Sequence, residues 1–194
     1  MSRKRQKQQP GWVWVFLFIM LFLVFAYFLY SQQAPAETPP EGSSFEVHFI
    51  DVGQADSALV ICDGHYMLID GGNAEDSDLV YAYLERQGAK HLDYMVASHA
   101  HEDHIGGLSG ALNYASVDTA FCPVTEYGSK VFENMVKYLK EQGKALTVPE
   151  PGDKFALGSA QVEILGPVKE YDDTNDTSIV LRVDYGKTSF LFTG

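Results

Sequence analysis

Three histidines and two carboxylates crowd into six consecutive positions, His99 to His104, within the stretch VASHAHEDHIGGL. Imidazole and carboxylate together suit Zn²⁺, and also Mn²⁺ or Fe. An apolar run, LDYMVAS, leads straight into them. If the chain stays extended past that run, His99 and His101 point to one side, because strand side chains alternate. Their backbones then lie about 7 Å apart, within reach of one ion. Asp103 and His104 follow at the turn into a helix and offer an oxygen and an imidazole to a second position. Gly106 and Gly107 let the backbone pack closely where that helix begins. Glu102 reads as solvated, facing away. A lone histidine is more often a hydrogen-bonded surface residue. An H-x-H-x-D-H pattern at the carboxyl end of an apolar strand, where α/β sheets bind ligands, reads as a metal site.

The elements that must hold this cluster are legible around it. Phe45–Val52 alternates and is β-rich, which predicts a strand. Ser57–Cys62 and Tyr66–Ile69 predict a hairpin with Asp63-Gly64 as its tight turn. The segment EDSDLVYAYLERQG predicts a helix stopped by Gly88. Leu92–Ser98, continuously apolar, predicts a strand inside a sheet. Beyond the histidines, GGLSGALNYA predicts a helix, VDTAFCP a strand, SKVFENMVKYLKEQG a helix ended by Gly143, and ALTV a short extended segment. Three further β segments follow, Lys154–Leu157, Gln161–Leu165 and Ser178–Tyr185, and the turn Tyr185-Gly186-Lys187 leads into TSFLFTG. Strands, then strand and helix in alternation, then strands again predict a layered α/β domain with a mixed sheet.

The N-terminus is different in kind. Residues 1–10 carry Arg3, Lys4, Arg5 and Lys7 and no acid; Gly11–Tyr30 has no charge at all. About 20 apolar residues in a helix span a bilayer core, so residues 11–31 are expected to form a transmembrane signal-anchor. Its basic flank stays cytoplasmic, with Trp12, Trp14, Tyr27 and Tyr30 near the interfaces. The alternative is a secreted form, cleaved as a signal peptide near Ala34-Pro35-Ala36, but the apolar run exceeds the usual h-region. Residues 32–44 read as a polar spacer, and residues 45–194 as the exported domain. Without the four basic residues at the N-terminus, 10 Lys and Arg face 26 Asp and Glu, a net charge of −16. Such a surface excludes tight, nonspecific nucleic-acid binding, which rests on Lys and Arg contacts to phosphates. Cys62 and Cys122 each sit in an apolar β segment and read as two separate buried thiols.

SHAHEDHIGGL resembles the metal-binding signature of the metallo-β-lactamase superfamily. HFIDVGQADSALV, MLIDGG and NDTSIVLRVDYGKTSFLFTG are similar to segments of its branch that contains the exported hydrolase domain of the DNA-uptake channel ComEC. The resemblance runs in order through residues 45–194. It implies an α/β fold, an αββα sandwich that is incomplete at its C-terminus here, and a site that in full holds two divalent ions, Zn²⁺ first and Mn²⁺ next. It implies His99 and His101 as ligands of the first ion, and Asp103 and His104 as ligands of the second. Asp103 and Asp70 are implied as the catalytic carboxylates, Asp70 also fixing the histidine loop. It implies Asp51, Gln54, Asp56, Asn175 and Ser178 as substrate-proximal. Where the branch has Gly, this chain has Ala55. His48, His65 and His91 match nothing; His48 reads as packed in its strand, the other two as exposed.

In the family the final Thr-Gly is followed by an Asp that bridges both ions and later by a histidine-rich segment. The chain is therefore expected to be a fragment of a longer protein. The expected activity is hydrolysis by water that a divalent ion has acidified from a pKa of 15.7 to about 7, with phosphoesters or phosphodiesters first, whether DNA, a nucleotide or a cell-wall component. Lactam or thioester hydrolysis is one alternative. A non-catalytic, membrane-tethered binding module is the other.

Overall fold

The structure, a computed structural model, describes residues 11–32 and 38–194. The basic segment 1–10 and residues 33–37 of the spacer lie outside them. The chain divides into two units, 1–36 and 37–194. In the first, Gly11–Gln32 forms one 22-residue helix, α1, about 33 Å long at the usual rise. Its described side chains run unbroken only over Trp14–Phe25. Among the described residues, no helix is long and apolar enough to cross a membrane, which leaves the expected anchor without structural confirmation.

In the second unit, Asp63 and Gly64 both take positive φ, 53° and 82°. This is the two-residue hairpin turn expected of an Asp-Gly pair. It joins β2 (Ala58–Cys62) to β3 (His65–Ile69), with β1 (Phe45–Phe49) antiparallel on the far side of β2. From β3 the sheet turns parallel through β4 (His91–Val96), β5 (Ser116–Phe121) and β6 (Leu146–Thr147). This is the expected mixed sheet, six strands in sequence order. The remaining strands, β7 (Lys154–Leu157), β8 (Ala160–Gly166), β9 (Val180–Tyr185) and β10 (Thr188–Phe192), form a separate antiparallel sheet of four.

Alternation along β2 splits the core in two. Leu59, with Leu68, Leu92 and Met95, packs under α2 (Ser77–Gln87), α4 (Leu108–Tyr114) and α5 (Lys130–Glu141) through Val80, Leu84, Leu108, Met135 and Leu139. Ala58 and Val60, with Met67, Val96 and Phe121, pack against Leu157, Val162, Ile164, Leu181 and Val183 of the second sheet. A sheet buried on both faces carries apolar runs rather than alternation, as ALVIC and YMLI do. The layers are helix, sheet, sheet; the fourth, helical layer of the expected αββα sandwich is not among the described residues. Gly88, at φ 67°, closes α2, and Ser129 caps α5 by accepting from Phe132 N. His48 is half-buried between Glu46 and Tyr83 on β1, while His65 and His91 are exposed. Both cysteines are free and buried.

Candidate functional site

The histidine loop leaves the end of β4 and is held by backbone on three sides. Asp70 N donates to Val96 O (2.8 Å), Ala97 N to Phe121 O (2.9 Å) and Ile179 N to Ser98 O (2.8 Å). His101 then stands at the N-terminal boundary of the one-turn helix α3 (Glu102–Ile105), its backbone oxygen accepting from His104 N and Ile105 N at 3.1 Å each. Its end docks on the turn after β3, with Gly71 N donating to His104 O (2.7 Å) and Gly107 N to Gly72 O (3.1 Å). A Cβ on Gly107 would lie 2.0 Å from Gly71 O, and one on Gly106 would lie 2.2 Å from Ala74 N. The paired glycines are what allow this backbone-to-backbone approach.

The three imidazoles converge. The His99 ring centroid is 3.9 Å from that of His104 and 4.9 Å from that of His101. Each is engaged at Nδ1. His104 Nδ1 meets Asp70 Oδ2 at 2.9 Å, His101 Nδ1 meets Asn175 Oδ1 at 3.1 Å, and His99 Nδ1 lies 3.2 Å from both Ser98 Oγ and Ser178 Oγ. His99 Nε2 is buried with no partner. His104 Nε2 faces the carboxylates of Asp56 and Asp103, each at 3.9 Å.

The electrostatics follow from burial. Burial first, then the charges of His104 and His101, push His99 down to about 4, so its ring is neutral near pH 7. Burial also opposes the His104 imidazolium, but the hydrogen bond and charge of Asp70, backed by Asp103 and Asp56, outweigh it and raise its pKa. Burial raises the Asp70 carboxyl against the pull of His104 and Ser98. Asp70 sits at φ 56°, a left-handed conformation that Asp tolerates better than most residues. This turns its side chain back under the histidines.

Of the residues named from the sequence, His99, His101, His104, Asp103, Asp56, Asn175 and Ser178 are brought together here. Asp70, named from the sequence as a catalytic carboxylate, lies buried behind His104 with its oxygens turned to His104 Nδ1 and Ser98 rather than to open space. Gln54, Asn73, Glu75, Glu102 and Asp103 line a cavity of about 750 Å³ beside the loop. Glu102 is exposed, as expected. Asp51 stays outside the cluster, its carboxylate accepting locally from Gly53 N at 3.3 Å. The residue missed was Ser98, whose hydroxyl donates to Asp70 Oδ2 (2.7 Å) while lying 3.2 Å from the Nδ1 atoms of His99 and His104. The available signal was a serine closing an apolar strand, since a buried hydroxyl needs partners.

In donor type these residues fit a divalent ion: three imidazoles with Nδ1 engaged, two carboxylates alongside, and a buried nitrogen without a partner. A ligating histidine characteristically uses its other nitrogen in such a hydrogen bond. Among the described residues, no group of three or more His, Cys, Asp or Glu side chains is set around one point as a metal would require.

A family model described as "Metallo-beta-lactamase superfamily" matches residues 50–194. ComE operon protein 3 of Bacillus subtilis is 26% identical over 191 residues, covering 89% of this chain. Ribonuclease Z of Geobacillus kaustophilus is 25% identical over 129 residues, covering 66% of it. The chain spans 24% and 38% of those relatives' lengths. In fold, it is similar to a motif mutant of a metallo-beta-lactamase from Cronobacter sakazakii, with a TM-score of 0.55 at 14% identity, covering 81% of this chain and 64% of that one.

Proposed function

The chain belongs to the metallo-beta-lactamase superfamily, and from that premise we propose that it is a metal-dependent hydrolase acting on phosphoesters or phosphodiesters. The observation that carries this reading is His99 Nε2, buried and unpartnered between two other imidazoles that are each held at Nδ1. A buried polar atom without a partner calls for an explanation, and an ion is the partner that suits a neutral imidazole in such company. His99 and His101 would hold a first ion; His104 and Asp103 would hold a second, with Asp56 beside them. When bound, such ions acidify water and offset charge on the group being transferred. Asp70 orients His104 and holds it against rotation. Asn175 orients His101.

Substrate class is weighed by charge. The net charge of −16 after the N-terminal basic residues repels polyanions, so cations at the site are needed to draw in a phosphodiester. This favours short or locally bound substrates over tight, nonspecific DNA binding. Likeness to ComE operon protein 3 supports the ComEC-like branch as the chain's place within the superfamily. The name of ribonuclease Z adds nucleic acid to the candidates. The uncharged run Gly11–Tyr30 and its basic flank, as sequence, support a single-pass anchor with the domain outside the cell.

The test is the full chain, stripped of metal and reloaded separately with Zn²⁺ and Mn²⁺. It is assayed on bis-p-nitrophenyl phosphate, single-stranded DNA and a chromogenic cephalosporin, with metal content measured for the wild type, His99→Ala and His101→Ala. Phosphodiesterase activity and a sharp drop in bound metal in both variants are expected. Unchanged metal stoichiometry in both removes the ligand assignment, and turnover of the cephalosporin alone moves the chemistry to lactams. One observation favours a second reading, a tethered module without catalysis: no three donors are set around one point among the described residues. Metal binding without turnover of any of the three substrates would select it.

A further inference from the structure

We propose that the Ser98 and Ser178 hydroxyls form a two-oxygen clamp that fixes His99 as its Nδ1–H tautomer, leaving the Nε2 lone pair bare. The inference follows from where each hydroxyl proton goes. Ser178 Oγ is 2.6 Å from the backbone oxygen of Asn175, and a carbonyl only accepts, so the Ser178 proton is committed there. Ser98 Oγ is 2.7 Å from Asp70 Oδ2, and a carboxylate also only accepts. Both serine oxygens therefore present lone pairs to His99 Nδ1, each at 3.2 Å. A neutral imidazole carries one N–H. Placed on Nδ1, it meets two acceptors. Placed on Nε2, it would be a buried donor without an acceptor, with the Nδ1 lone pair facing two more lone pairs. The first arrangement satisfies the network and the second violates it at both ends.

The two serines reach His99 from different sheets. Ser98 follows β4 of the six-stranded sheet, and Ser178 precedes β9 of the four-stranded one. The chain is tied across the same point, since Ile179 N donates to Ser98 O at 2.8 Å. Neither serine is assigned a place on a metal; both act through the histidine and are positioning residues. The tautomer stands on hydrogen-bond geometry alone, and its use for ligation rests on the metal-dependent reading above.

The test is ¹⁵N–¹H correlation of the histidine rings in the metal-free full chain at neutral pH, with His99 assigned by its loss in His99→Ala. Protonated and bare ring nitrogens are told apart by their ¹⁵N shifts. The expected spectrum shows Nδ1 protonated and Nε2 bare. Ser98→Ala and Ser178→Ala, each keeping one acceptor, should retain that pattern, while the double variant should show an Nε2–H population. Zn²⁺ affinity should fall about 10- to 100-fold in the double variant, the usual loss when a ligand's hydrogen-bond partners are removed. An Nε2–H or doubly protonated ring in the wild type overturns the proposal, as does an unchanged tautomer in the double variant. The wild-type spectrum is decisive even if the double variant does not fold. A correct tautomer in a chain that binds no Zn²⁺ would sink the hydrolase reading and leave the clamp standing.

Discussion

His104 and Asp70 meet at 2.9 Å with side chains only 9% and 2% exposed. The carboxylate also accepts from Ser98 N and Ser98 Oγ, at 2.7 Å each. One buried acid thus answers three donors and ties the turn after β3 to the loop after β4. Removing it as Asp70→Ala leaves Ser98 N unpaired in a dry setting, leaves His104 Nδ1 and Ser98 Oγ with only longer contacts of 3.2 Å, and puts alanine at φ 56°. A loss of about 3–5 kcal/mol in unfolding free energy is expected, measured by urea titration of the metal-free domain. Asp70→Asn, which keeps the shape and tolerates the left-handed backbone, should lose clearly less. Equal losses in the two variants would put the whole loss on the charge that both remove and would show that side-chain shape and backbone conformation do not matter there.

The depressed pKa of His99 gives stability a pH dependence of definite sign. Unfolded, the ring takes a proton below its ordinary value of 6.5; folded, it does so only near 4. The native state therefore loses stability as pH falls from 6.5 toward 4, by roughly 3 kcal/mol at the lower end. Above 6.5 the group contributes no slope. His99→Gln, measured beside the wild type by denaturant unfolding from pH 4 to 8, should lack this part of the profile. Parallel curves would mean that the ring is not held neutral.

Backbone crowding at the loop yields a contrast among glycines. Gly107→Ala would bring a methyl to 2.0 Å from Gly71 O, whereas Gly128 has nothing within 4 Å. Overpacking against main chain costs about 1–3 kcal/mol and sometimes more, so Gly107→Ala should lower the thermal midpoint by several degrees or prevent folding. Gly128→Ala should stay within about 0.5 kcal/mol of wild type.

The thiols should be silent until the domain opens. Cys62 and Cys122 are buried and unpaired, and burial pushes the Cys122 thiol up to about 12, far from the reactive thiolate. An aromatic disulfide reagent should label neither in the native chain and both in denaturant. Fast labelling of Cys122 under native conditions would contradict its packing.

Much of this was legible in the sequence where the signal is local. The Asp63-Gly64 turn, the Gly88 stop and β7 at Lys154–Leu157 fall where pattern and turn chemistry put them. Strand ends were less so. The segment from Ser178 was expected to begin a strand, yet Asn175–Thr177 is a 3₁₀ turn and β9 begins at Val180. Ser178 and Ile179 are spent instead on His99 and Ser98, which lie 79 and 81 positions earlier. The split into two sheets was not legible in the strand pattern, because pairing is settled by contacts remote in sequence; only the resemblance implied it, as the two β layers of an αββα sandwich. Ser98 was missed for the same reason: its carboxylate partner lies 28 residues upstream, and nothing in VASH announces it. The histidines were found because their chemistry is concentrated in one short run.

Where the chain from Gly106 to Gly110 meets the 71–74 turn and the first residue of α2, peptide lies directly on peptide: Gly106 faces Ala74 N, Gly107 faces Gly71 O and Gly110 faces Ser77 O, each nearer than any side chain would permit. An ordinary core has slack, because a methyl lost on one side can be regained on the other. This seam has no such compensating coordinate. Saturation mutagenesis across it should return an all-or-none map, with compensating double changes absent. The spacing between Asp70 and the three imidazoles would then be a constant of the scaffold rather than something drift can adjust.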